Sequence, residues 1–175
     1  VAGAVSGQWH AGRFGTVAIE GSFSGALRAA VSAPVPSGVA VLASLSIKGG
    51  DLSGVIEADG PVGAIRVAAA KDRATNLPVG GNLDHAALTL GALRRMTVSG
   101  WLDASRVACR SLVESVTVGG MRDSVLFVGV AGAADANGDG VPDLPTPPSD
   151  FTGVGATLQK FRMTGIRGAP CSWIN

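Results

Sequence analysis

Phe14-Gly15-Thr16-Val17-Ala18-Ile19-Glu20-Gly21 is the stretch from which the fold is read. It has the frame apolar-x-x-apolar-x-apolar-x-Gly. The frame returns at Leu42…Leu45-x-Ile47-x-Gly49, Leu93…Met96-x-Val98-x-Gly100, Val113…Val116-x-Val118-x-Gly120 and Leu158…Phe161-x-Met163-x-Gly165. A sixth copy, Val62…Ile65-x-Val67, carries Ala69 where the others close on glycine. The final apolar pair alternates with other residues, which is strand periodicity, and glycine permits a turn directly behind it. A unit this short cannot bury its apolar side alone, whereas stacked copies can.

The copies begin at positions 14, 42, 62, 93, 113 and 158, so their spacings are 28, 20, 31, 20 and 45 residues. A base period near 20 with extra residues at some corners is the habit of stacked repeats, whose insertions leave the stack undisturbed. The extra residues differ in composition from the frame. Ala33-Pro34-Val35-Pro36-Ser37-Gly38 is a Pro-Gly loop, and Lys71 to Gly81 is a polar corner. The longest insertion runs over 129–154. Behind each frame a second strand-like piece follows, as in Ser22–Leu27, Asp51–Ile56, Trp101–Val107 and Met121–Val125. No apolar pattern of helical period is sustained. Asp84 to Leu93 comes nearest, and it ends in the next strand frame.

Composition agrees with narrow repeated strands. The 175 residues include 26 glycines, 9 prolines and no tyrosine, and only 15% are charged. Mean hydropathy is +0.35, yet no run approaches the ~18 uninterrupted apolar residues of a membrane-spanning helix. The apolar residues are spread thinly, as in a long continuous core, and a soluble β-rich chain is expected. A formal charge of +1 argues against a general affinity for nucleic acid or membrane. The charge is uneven, however. Residues 123–159 contain five Asp and no Lys or Arg, so this part is −5 and the remainder +6. Such asymmetry marks either a cation site, a self-complementary surface or a solvated acidic loop. The chain opens on Val1 without a signal-peptide pattern, as expected of a cleaved mature product or a piece of a longer protein.

The clearest site signal is Asp135-x-Asn137-x-Asp139-Gly140-Val141-x-Asp143. Oxygen side chains at alternate positions 1, 3 and 5, glycine at 6, a backbone carbonyl at 7 (Val141) and a carboxylate at 9 suit hard Ca²⁺, which takes six to eight oxygens. Position 12 falls on Thr146 instead of a bidentate Glu, and no helices flank the loop. The stretch therefore resembles the calcium loops of dockerins and thrombospondin type 3 repeats more than a sensor EF-hand. The expected ligand set is Asp135, Asn137, Asp139, Val141 and Asp143, holding a structural Ca²⁺ at modest affinity.

Catalytic patterns are poor. His10 and His85 are the histidines, and the adjacent Asp84 and His85 would point to opposite faces of a strand. Asp103, Arg106 and Arg110 read as a solvated surface. Cys109 and Cys171 lie in the fourth and sixth copies at ~4.8 Å per stacked strand, or ~9.6 Å apart. A disulfide requires Cα atoms within about 7 Å, so a buried thiol at Cys109 stands beside a bridge as the alternative. The five phenylalanines read as core or corner fillers. Trp9 and Trp173 are placed either to cover the ends or to form a joint between subunits.

Whole units such as LASLSIKGGDLSGVIEADGPVGAIRV, and the long run from Ala92 to Val130, resemble repeats of very large secreted or surface proteins of bacteria, planctomycetes especially. The resemblance implies an extracellular structural or adhesive role without catalysis. The expected fold is all-β: one domain over 1–175, a right-handed parallel β-solenoid (β-helix) of about six rungs with inserted corner loops. Its hand follows the general preference for right-handed parallel crossovers. The expected function is a non-enzymatic structural module of an extracellular or cell-surface protein or filament. Its partners would be copies of itself or adjacent repeats, met through open ends. A carbohydrate-binding or carbohydrate-cleaving β-helix module is the alternative; an antiparallel sandwich adhesin fits the regular glycines less well.

Overall fold

The computed structural model describes residues 3–30, 38–130, 151–152 and 155–166. Among them the secondary structure is β throughout, without a helix. The calcium-loop residues Asp135, Asn137, Asp139, Val141 and Asp143, together with Cys171 and Trp173, lie outside the described residues.

Strands β2 (Phe14–Glu20), β4 (Leu42–Lys48), β5 (Val55–Ala68), β9 (Ala87–Asp103), β11 (Val113–Arg122) and β13 (Phe161–Met163) form a first parallel ladder. Its register pairs Phe14 with Leu42, Leu42 with Val62, Val62 with Leu93 and Leu93 with Val113. A parallel bridge joins Val113 to Leu158. The six copies of the sequence frame are thus hydrogen-bonded to one another, start to start.

Two further ladders are made by the intervening residues. The second joins β1 (Gln8–Ala11), β3 (Ala26–Ala29), the first part of β5, the first part of β9, β10 (Arg106–Cys109) and β12 (Val125–Val128), all parallel. Trp9, Leu27, Ile56, Leu88, Val107 and Leu126 share one register position in it. The third is narrower. Val5, Phe23, Leu52 and Leu83 of β8 (Leu83–Asp84) succeed one another as parallel partners, followed by Leu102 and Met121. The chain passes from the third ladder to the second to the first, then starts again.

Inward positions explain the cohesion. Leu45, Ile65, Met96 and Val116 of the first ladder, Leu27, Ile56, Leu88 and Val107 of the second, and Phe23, Leu52, Leu83 and Leu102 of the third are buried in one continuous cluster. Each such side chain contributes roughly 1.5–3 kcal/mol by leaving water. The alternating residues face outward and are polar or small, which is why the frame tolerates Thr, Ser, Ala and Arg there.

The corner between third and second ladders comes in two forms. Early in the chain it is Ser-Gly, at Ser24-Gly25 and Ser53-Gly54. A Cβ on Gly54 would sit 2.2 Å from the carbonyl oxygen of Gly25, and one on Gly25 would sit 2.2 Å from that of Gly7. Only glycine admits that approach of backbone to backbone. Later the corner gains a residue, and His85, Ala104 and Asp123 occupy equivalent positions with φ of 53°, 43° and 47°. The left-handed residue lets the longer corner return to the ladder.

Asp84 to Leu93, the nearest approach to a helical pattern, is not helix: Asp84 ends β8, His85 and Ala86 form a corner, and Leu88 and Leu90 of β9 belong to the second ladder. The Lys71–Gly81 corner includes a small antiparallel hairpin, β6 (Ala70–Lys71) with β7 (Pro78–Val79). Asp72 Oδ1 accepts bonds from the Ala74 and Thr75 backbone and from the Thr75 hydroxyl, which fixes the turn. Phe23 is buried and Phe14 packs against the core as expected, but Phe151 and Phe161 are exposed rather than filling the core. Phe161 lies on the last strand of its ladder, with no further described strand beyond it.

Candidate functional site

Side chains with chemistry gather at the third-to-second corner. Asp84, Asp103 and Arg122 are stacked there by the registers Asp84↔Asp103 and Asp103↔Arg122. Arg122 donates from both Nε and Nη2 to the two Asp103 carboxylate oxygens, with Nε–Oδ1 at 2.9 Å. That hydrogen-bonded pairing holds the Asp103 carboxyl below the ordinary carboxylate range and raises Arg122 further. The guanidinium also lies 5.9 Å from the Trp101 ring centroid. The ring rests over Gly120, its register partner, where any Cβ would collide with it at 2.4 Å.

The expectation that Asp84 and His85 diverge is corrected. His85 Nδ1 and Asp84 Oδ1 are 2.7 Å apart, because His85 leaves the strand conformation for a left-handed one and its ring returns to its neighbour. An Asp–His pair is half of a general-base arrangement. The hydroxyls nearest in the fold are already committed. Ser105 Oγ donates to the Asp103 carbonyl at 2.7 Å and accepts the Ala86 N–H at 3.0 Å, and Ser124 Oγ donates to the Arg122 carbonyl while accepting the Ser105 N–H. These serines splice successive corners together. Among the described residues no three His, Cys, Asp or Glu side chains are grouped so as to hold a metal.

Asp103, Arg106 and Arg110 have separate settings. Asp103 belongs to Arg122; Arg106 is half-buried on β10, where desolvation lowers its pKa; Arg110 is exposed. Cys109 is a buried free thiol whose pKa is pushed up to about 12 by burial. His10 is exposed, with a long contact of 3.3 Å to Gln8. Trp9 is half-buried and meets Phe23 edge-on, ring centroids 5.7 Å apart.

A second constellation has no counterpart in the sequence reading. At the corner that enters the third ladder, Ser22 Oγ accepts the Asp51 N–H at 3.1 Å. Asp51 Oδ1 accepts both the backbone and side-chain N–H of Asn82, and Asn82 Oδ1 accepts the Trp101 N–H at 2.8 Å. Each side chain secures the backbone of the next strand layer. The signal that marks them is their place immediately ahead of the buried Phe23, Leu52, Leu83 and Leu102. An open groove of about 400 Å³ lies elsewhere, against Pro61, Val62, Ala92 and Leu93, with the Arg94–Glu114 ion pair at its rim.

Comparison with protein-family models, with curated proteins and with solved structures finds no match to this chain. At these corners two carboxylates are paired with basic side chains and the serine hydroxyls are hydrogen-bonded to backbone.

Proposed function

We propose that the chain is a non-enzymatic structural module of an extracellular or cell-surface protein or filament. In this reading it is a right-handed parallel β-solenoid of about six rungs, and its work is to extend a stiff axis. The observation that carries the proposal is the register itself: six copies of one frame pair start to start, and the chain visits three ladders in a constant order. Supporting it, Leu158, Phe161 and Met163 are 40%, 40% and 41% exposed, although they occupy the inward register positions at which Val113, Val116 and Val118 are fully buried. An apolar strand with no further described strand beside it suits a further layer laid on it, either another copy or an adjacent repeat, and a head-to-tail contact that does not close propagates.

Electron microscopy and concentration-dependent light scattering of the purified chain test this. Fibres, or particles that lengthen with concentration, are expected; a strictly monomeric species at every concentration overturns the polymerising form. We propose in addition that Ca²⁺ bound by Asp135, Asn137, Asp139, the Val141 carbonyl and Asp143 orders the 129–154 insertion, on the oxygen-donor spacing alone. Calorimetric titration of Ca²⁺ into the wild type is expected to release or absorb heat and into Asp139→Ala to give much less. Two flat traces end the calcium proposal.

A further inference from the structure

The outward positions of the first ladder carry a charge pattern that packing does not require. Lys48, Arg66, Arg94, Arg95, Lys160 and Arg162 all lie on its strands or immediately before β13, and all are exposed. Against these six cations the ladder sets Glu20 and Glu114, and Glu114 is already engaged by Arg94 at 3.4 Å. No carboxylate among the described residues lies within ion-pair distance of Arg66, Arg95, Lys160 or Arg162. The whole chain is only +1. Positive charge is therefore collected on one face while the third-ladder corners hold Asp51, Asp84, Asp103 and Asp123.

Register places these cations in two rows. Ser46, Arg66, Thr97, Thr117 and Arg162 form one, and Ser44, Ala64, Arg95 and Ser115 form the other, with Lys160 next in line beside Phe161. Strands ~4.8 Å apart put Arg66 and Arg162 roughly 14 Å apart, and Arg95 and Lys160 roughly 10 Å apart. Arg66 and Arg95 are diagonal neighbours, a placement in which like charges repel. Such rows suit an external anion carrying several charges, because the ~10 Å and ~14 Å separations exceed the reach of one small anion, whereas the diagonal neighbours Arg66 and Arg95 can share one. Hydroxyls fill the positions between the charges.

We infer that this face binds a linear anionic polysaccharide, its carboxylates on Arg66, Arg95, Lys160 and Arg162 and its hydroxyls on the interleaved Thr and Ser. Single-stranded nucleic acid is the weaker fit, because the outward rows contain no aromatic ring on which a base could stack. A lipid surface is weaker too, since the rows offer no large apolar side chain to insert and the exposed Phe161 and Met163 are confined to the last strand. Several weak ion pairs acting along one polymer reinforce one another without any single strong contact.

The test is binding of fluorescent polygalacturonate to the full chain, with neutral dextran, single-stranded DNA and phosphatidylserine vesicles measured in parallel. Saturable binding to polygalacturonate is expected, weakening steeply as salt is raised. The triple variant Arg66→Gln/Arg95→Gln/Arg162→Gln is expected to bind about tenfold more weakly, since each surface ion pair is individually weak. The charge-conserving Arg→Lys triple should stay close to wild type, and Arg122→Gln, at the third-ladder corner, should leave binding unchanged. Circular dichroism checks that each variant keeps its strands, and the salt dependence is read on the wild type alone. Absence of binding to polygalacturonate, equal binding to dextran, undiminished binding by a folded Gln triple variant, or tighter binding to DNA or vesicles overturns the inference.

Discussion

Gly54 shows how narrowly single residues are constrained where one layer of backbone lies on another. Its Cα hydrogen faces the Gly25 carbonyl, and a methyl group there would have to displace backbone rather than a side-chain tip. Gly54→Ala is expected to cost about 1–3 kcal/mol, as for other overpacked sites, seen as a lower urea midpoint. Ser53→Ala, at an exposed neighbour, should change the midpoint little. Cys109 is constrained in the opposite way, by what surrounds it. Its thiol is expected to resist Ellman's reagent in the folded chain and to react at once in denaturant. Because folding raises its pKa from 9.0 to about 12, the unfolded chain releases its proton first. Stability from this group is complete below pH 9 and declines as pH rises from there toward 12. Cys109→Ser should flatten that alkaline decline.

At the scale of elements, the polar links between strands do more than decorate the corners. Asn82 accepts from Trp101 and donates to Asp51, so it ties three successive layers. Asn82→Ala would leave the half-buried Trp101 N–H and Asp51 carboxylate short of partners, at about 1–3 kcal/mol. Hydrogen exchange should show the loss first at the Trp101 amide. Exchange there no faster than wild type would refute the link. The Asp103–Arg122 pair makes a pH-dependent link of the same kind. Folding lowers the Asp103 pKa, chiefly through the Arg122 hydrogen bond, so its contribution is present above the ordinary carboxylate range. It is lost as pH falls through the lowered value. An NMR titration should find the Asp103 carboxyl titrating below the usual range in the wild type and higher in Arg122→Gln.

The first ladder was legible from sequence because its inward residues are regularly spaced and each copy closes on a small residue. Phe14, Leu42, Val62, Leu93, Val113 and Leu158 could be aligned by eye, and the structure pairs those same residues. The third ladder is legible only as the front of the strand-like piece behind each frame, because it contributes a single inward side chain per pass, such as Phe23 or Leu52, too little to show a period of its own. His85 departs from strand alternation for a related reason: its φ of 53° breaks the alternation, and nothing in Asp-His-Ala announces a left-handed centre. The basic face is not legible in the sequence because its cations lie 29 to 67 residues apart, from Arg66 to Arg95 and on to Arg162, and become neighbours only through the register.

For the molecule as a whole, cohesion is local along the stacking direction and each layer leans on its two neighbours. Unfolding should therefore be graded. Amides of β5 and β9, paired on both sides in the first and second ladders, are expected to exchange most slowly. Those of β13, with exposed side chains and pairing only to β11 among the described strands, should exchange fastest. Uniform protection across all strands would contradict this gradient.

The unequal spacing of the paired frames has one more consequence. Leu42 and Val62 are 20 residues apart and Val113 and Leu158 are 45 apart, yet both pairs close the same parallel contact. Loop entropy grows so slowly with length that the longer excursion costs only roughly 0.7 kcal/mol more. The exposed tip of the Lys71–Gly81 corner, inside the 31-residue spacing from Val62 to Leu93, thus marks a place where foreign peptide can be spliced in at small thermodynamic expense. A cargo sequence grafted there should leave the circular dichroism of the strands as it was, so that the chain would serve as a scaffold for display.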